Sequence, residues 1–163
     1  MKCGLLLLPT LLLSCAPGAS GSPSVNPSSE ETIPSASAAS GDIEGNTMRI
    51  IANGNELLAN MEDNESTQAL YRMIEENGGQ ISVYLEAYGG FEKWGPLPYA
   101  LPSNDVSYSA VCGDILLYND SNIVIMIGNN SWSYTKLGHI ENASRESLIA
   151  ALGEGDVEVT LTI

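Results

Sequence analysis

The stretch "SYSAVCGDILLYNDSNIVIMIGNN" (residues 107–130) decides the fold class. It holds a short strand, a break at Gly113-Asp114, and two apolar runs joined by Asn119-Asp120-Ser121-Asn122. Polar turn-formers between short runs rich in Ile, Val and Leu mark a hairpin of two strands rather than a helix. Working outward, the same grammar recurs on both sides.

Upstream, "MRIIANGNELLANM" (48–61) reads as two strands around Asn53-Gly54, a dipeptide that accepts the positive φ angles of a type I′ turn. "QISVYLEAY" (80–88) alternates, with Ile81, Val83, Leu85 and Ala87 on one face. Between them, Ala69, Leu70, Met73 and Ile74 recur at helical spacing, with Asp63 or Asn64 as N-cap and Gly78 just past the end. Downstream, "SRESLIAALGEG" predicts a second short helix, capped by Asn142 or Ser144 and stopped by Gly153. "DVEVTLTI" closes the chain with alternating Val157, Val159, Leu161 and Ile163, a strand expected to lie beside the first. The helices are expected near 65–77 and 144–152. The segment from Tyr88 to Asp105, broken by glycines and prolines, has no regular period and reads as a long loop. Many strands with two short helices predict a mainly β protein, a barrel or closed antiparallel sheet.

The N-terminal third has a different character. "MKCGLLLLPTLLLSC" (1–15) has a lysine and then an apolar run too short to span a bilayer, as in an export signal. Its end, Leu12-Leu13-Ser14-Cys15, resembles the lipobox of bacterial lipoproteins, which implies acylation of Cys15 and an extracytoplasmic protein anchored to the lipid bilayer. Residues 16–47, rich in Ser, Pro, Gly and Ala, cannot bury enough apolar surface to offset the entropy of ordering. They are expected to form a flexible tether, with a random-coil reach of about 30 Å for some thirty residues. The folded domain is expected over 48–163. Cys3 would leave with the signal, and Cys112 would remain as a lone thiol without a disulfide partner.

Three segments carry a family resemblance: "YGGFEKWGPLPYALPSND" (88–105), "GDILLY" (113–118) and "GNNSWSYTKLGHI" (128–140). In this order and spacing they resemble the small bacterial cyclophilin-like domain family, whose members are often exported or lipid-anchored. The resemblance spans about 48–163 and implies a closed cyclophilin-like β-barrel with two short helices.

Charge and composition exclude several functions. A net charge of −14 argues against nucleic acid and against anionic membrane surfaces. One histidine, His139, excludes a His-rich metal site or a His–His acid/base pair. No carboxylates are spaced as a calcium loop, Glu92, Asp105, Asp114 and Glu141 reading as solvated turn residues, so neither metal nor cofactor is expected. Cys112 lacks a basic neighbour in sequence to activate it as a nucleophile and reads as a buried, inert thiol. Nothing in the sequence sets an oligomeric state.

What remains is an aromatic pair of segments: Tyr88, Phe91 and Trp94 in one, Trp132 and Tyr134 in the other, with Asn104 and Asn130 to direct hydrogen bonds. Trp132 stands among Asn129, Asn130, Ser131 and Ser133, which read as a loop held by its own side chains. That loop would bring Trp132 to a barrel rim and aim Trp132 and Tyr134 to different sides. Two readings compete: a groove for a peptide or small molecule, or aromatic plugs, Phe91 and Trp132, at the barrel ends. A third possibility is prolyl isomerisation, in which cyclophilins use an arginine beside the substrate proline. Arg49, Arg72 and Arg145 are the candidates in the domain, and none sits in a segment resembling the cyclophilin active strand. The sequence therefore favours a non-catalytic binding module over a peptidyl-prolyl isomerase.

Overall fold

The computed structural model describes residues 46–163, and 1–45, including Cys15 and nearly all of the expected tether, lie outside the described residues. Nine strands and two helices follow in the order β1 (Thr47–Ala52), β2 (Asn55–Met61), α1 (Glu65–Glu76), β3 (Gln80–Tyr88), β4 (Glu92–Pro96), β5 (Val106–Ala110), β6 (Asp114–Tyr118), β7 (Asn122–Met126), β8 (Asn130–Ile140), α2 (Arg145–Leu152) and β9 (Val157–Thr162).

All pairings are antiparallel. The order β2-β1-β9-β3-β4-β7-β6-β8 closes on itself because β2 also pairs with β8, through Ala59↔Ile140, Asn60↔His139 and Met61↔Gly138. The result is a ring of eight strands, as expected. β9 lies beside β1, but it sits between β1 and β3, and the closing seam is β2–β8. Gly138 makes that seam possible: a Cβ there would lie 2.7 Å from the Asn60 carbonyl oxygen and 2.6 Å from the Met61 sulfur. β5 stands outside the ring as a flap, paired only to the first half of β8.

The local devices agree with the sequence. Asn53 (φ 50°) and Gly54 (φ 77°) make the tight β1–β2 turn. The Asn64 side chain accepts from Thr67 N at 2.9 Å to start α1, and Ser144 and Ser147 form a reciprocal capping box on α2. Because β2 and β8 run in opposite directions, α1, which follows β2, and α2, which follows β8, cover opposite ends of the ring. Their buried faces (Leu70, Met73 and Ile74; Leu148 and Leu152) join a core built from alternating inward residues such as Ile50, Val83, Leu85, Leu117, Ile125 and Leu161.

Four expectations need correction. The segment 88–105 is not all loop: β4 occupies its middle, after a turn at Gly89 (φ 58°) and Gly90 (φ 69°). Its alternation is hidden because the inward position after Glu92 is Lys93, a buried lysine whose Nζ donates to the Gly155 carbonyl. Residues 130–133 belong to strand β8, not to a loop. Ala87 is exposed, since it lies where β3 runs out toward the turn. Asp114 is not a solvated turn carboxylate but is 1% exposed at the start of β6.

Candidate functional site

Strands β6 and β7 are buried on both faces, which is unusual for a ring whose outside should meet water. Ile115, Leu117, Ile123 and Ile125 face the central core, while Leu116, Val124 and Met126 face outward into a second apolar cluster with Ala110 and Tyr134. The flap covers part of that outer face. Along β5 and the start of β8, Tyr108 opposes Trp132, Val106 opposes Tyr134, and Ser109 opposes Ser131 with hydroxyls 3.1 Å apart. Serines thus alternate with larger side chains, polar on one face and apolar on the other. This is strand grammar written with Ser, and it explains why the region reads as a loop in sequence.

The flap does not cover everything. Beside it lies a cavity of about 550 Å³, within the range of small-molecule sites. Trp94 and Val124, paired across β4 and β7, form its floor. Tyr118 and Tyr134 meet edge to face (centroids 6.1 Å apart, 64°), and Tyr88 and Phe91 do the same at the β3–β4 turn (5.8 Å, 84°). Trp132 reaches over from β8 and is 59% exposed. Glu92 and Asn130 complete the lining.

Of the seven residues that sequence reading selected, six line this cavity: Tyr88, Phe91, Trp94, Asn130, Trp132 and Tyr134. Asn104 does not. Its backbone N–H donates to Thr135 Oγ1 at 2.8 Å, and it borders a separate, more polar depression with Glu62, Asn64 and Lys136. Trp132 and Tyr134, two apart on one strand, point to the same side rather than to different sides. Phe91 and Trp132, read as possible plugs of the barrel ends, both line this cavity on the outer wall instead, Phe91 packed against the outer cluster and Trp132 exposed. Sequence reading missed Tyr118 as a lining residue and placed Glu92 in a loop. The signal for both was period-two spacing, Glu92 with Trp94 and Leu116 with Tyr118.

Glu92 is the cavity's one ionisable carboxyl. Tyr134 OH donates to its Oε2 at 3.3 Å, and Asn130 Nδ2 donates to Tyr134 OH at 3.0 Å. Burial pushes the Glu92 carboxyl above its ordinary value, and the hydrogen bonds from Tyr134 and Asn130 pull it part of the way back. Burial, followed by the charge of Glu92, raises the Tyr134 phenol as well. Among the described residues Glu92 has no ion-pair partner.

A second polar group stabilises the flap from behind. Buried Asp114 accepts from Val111 N (2.9 Å), Tyr108 OH (3.1 Å) and His139 Nδ1 (2.9 Å), with Lys136 Nζ at 3.8 Å. Strands β5, β6 and β8 and the β5–β6 connection meet at one carboxylate, so its burial is well compensated. Cys112 is free but half-buried rather than buried as expected; burial raises its thiol, and the charge of Arg145, distant in sequence, pulls it part of the way back. Of the arginines, Arg145 donates from Nη1 to the Gly90 carbonyl at 2.7 Å and lines a smaller hollow beyond Glu92 with Lys93 and Ile149. No grouping of three or more metal-ligating side chains occurs among the described residues.

Residues 50–163 match the model of the cyclophilin-like family. The chain belongs to that family. The ring of strands and the capping helices are therefore the cyclophilin-like domain itself, with its three signature segments contributing β4, β6 and β8. No curated protein matches the sequence. A solved structure of McbB in complex with tryptophan is similar in backbone, with a TM-score of 0.47 and 11% identity, over 71% of this chain and 44% of that one. The cyclophilin-like chain thus spans less than half the length of that protein.

Proposed function

We propose that this cyclophilin-like protein is an extracytoplasmic binding module, anchored to the lipid bilayer through acylated Cys15, that holds a small molecule or peptide group in its outer cavity without transforming it. One observation carries the reading: six of the chain's ten aromatic residues line a single cavity on the outer wall. Exposed Trp and Tyr surface is costly in water unless something covers it. The lipobox-like ending at Cys15 supports the anchor.

The competing reading, a prolyl isomerase for exported proteins, needs a group to weaken the amide resonance behind a barrier of about 20 kcal/mol. No arginine lines the cavity, and Arg145 is engaged at the Gly90 carbonyl instead. A protease-coupled Xaa-Pro assay is expected to show no acceleration over background. A clear rate, lost on mutating one arginine, would reverse the ranking. Binding itself is tested by a ligand and peptide screen read by tryptophan fluorescence, with Trp94→Phe and Trp132→Phe assigning the signal. A confirmed ligand that perturbs neither indole would move the site elsewhere. Mass spectrometry of the native protein tests the anchor, and an unmodified mature N-terminus other than Cys15 would remove it.

A further inference from the structure

The cavity combines two features that select a ligand class, and the selection rests on the reading of this cavity as a binding site. The first is geometric. Tyr88 with Phe91 and Tyr118 with Tyr134 are held at 84° and 64°, so the rings form walls at steep angles rather than a parallel slot. A flat neutral ligand is gripped best between parallel faces. A cage of angled faces suits a rounded group that meets several rings at once. The electron-rich face of each ring also attracts positive charge, most strongly when the site is shielded from water.

The second feature is electrostatic. Glu92 is the lining's one charged group, no lysine or arginine shares the lining, and no cation pairs with it among the described residues. Its carboxylate accepts from Tyr134 OH through Oε2, which fixes the position of the charge at the edge of the rings. A bare ammonium is strongly hydrated and would have to give up that water for a lining that is mostly aromatic surface. An alkylated ammonium has few or no N–H groups to satisfy, is weakly hydrated, and presents methyl groups to the rings. We infer that the outer cavity binds an alkylated ammonium group, with Trp94, Trp132 and the tyrosines as the cage and Glu92 as its counter-charge. Burial disfavours the ionised form of Glu92, and a cation seated beside it would oppose that.

The test titrates the full chain with choline and with 3,3-dimethylbutan-1-ol, which replaces the charged nitrogen by carbon at the same shape. Binding is followed by tryptophan fluorescence and calorimetry. Choline is expected to bind at a single site and at least about tenfold (1.4 kcal/mol) more tightly than the neutral isostere. Glu92→Gln, which keeps shape and hydrogen-bond capacity, is expected to erase most of that difference while the isostere still binds. Trp132→Leu, at an exposed position, is expected to weaken choline in the same assay. Because lipid headgroups carry the same chemistry, phosphatidylcholine vesicles form a second arm, with phosphatidylglycerol vesicles as control. A response to phosphatidylcholine alone assigns the headgroup as source, and a response to free choline assigns a solute. Equal affinity for choline and its isostere would overturn the charge argument while leaving an apolar binding site standing. Failure of both at high millimolar concentration, together with failure of every ligand in the screen to perturb Trp94 or Trp132, would overturn the binding site as well.

Discussion

Leu116 and Leu117 are neighbours on one strand, both fully buried, and belong to different interiors. Leu117 faces the core inside the ring, sealed by strands all round and a helix at each end. Leu116 faces the outer cluster, which the flap covers on one side and leaves open at the aromatic cavity. The two interiors use different residues for physical reasons. Aliphatic side chains fill the inner core, where packing density governs stability. Aromatic side chains with polar tips dominate the outer one, where one end of the residue is dry and the other meets water or a ligand. A sealed interior stabilises the fold, and an open one is free to recognise something.

The largest expected effect breaks that comparison at its centre. Leu117→Ala should cost about 2–5 kcal/mol, read as a shift in urea midpoint, because nothing can relax into the hole. Leu116→Ala should fall at the lower end of the same range, since the space it leaves merges with an open cavity. Equal losses would mean that the outer cluster is as sealed as the inner. Next comes the seam. Gly138→Ala places a methyl against the backbone of β2 and should cost about 1–3 kcal/mol, in keeping with other overpacked sites. Trp132→Ala should change stability by less than about 0.5 kcal/mol, as is usual for exposed positions, yet remove ligand binding. The smallest effect is on pH dependence. Glu92 is held above its ordinary value, so the folded chain binds that proton more tightly than the unfolded chain does. Its contribution to stability is present at pH below the ordinary carboxylate value and is lost as pH rises through the folded value. Glu92→Gln should flatten that decline, measured as urea midpoints across the acidic range.

Most of the ring was legible because its strands obey simple rules. The Asn53-Gly54 turn, the helix caps (each narrowed to two candidates, of which Asn64 and Ser144 serve) and the 119–122 hairpin each have a local cause. What escaped reading had non-local causes. β4 was masked by Lys93, a charge at an inward position that only the Gly155 carbonyl and its surroundings make tolerable. The start of β8 was masked by serines, which become strand residues once β5 supplies partners. The aromatic residues of the site were visible by type, and six of seven gathered as expected, but their location on the outer wall was not visible. Asn104 went astray because residues between β4 and β5 carry no periodicity to aim it. Asp114 looked solvated because its partners, Tyr108 and His139, come from other strands.

Strand β8 has one further consequence, for motion. Its first half, residues 130–134, pairs with the flap, and its second half pairs with β6 and β2 inside the ring. Opening the flap breaks only the first set of hydrogen bonds, whereas freeing the second requires the ring to come apart. Amide exchange along this one strand should therefore change from fast local opening to the slow, global regime within a few residues of Thr135. An occupant of the cavity would slow exchange in the first half and leave the second unaltered, so a single strand records separately whether the site is filled and whether the protein is folded.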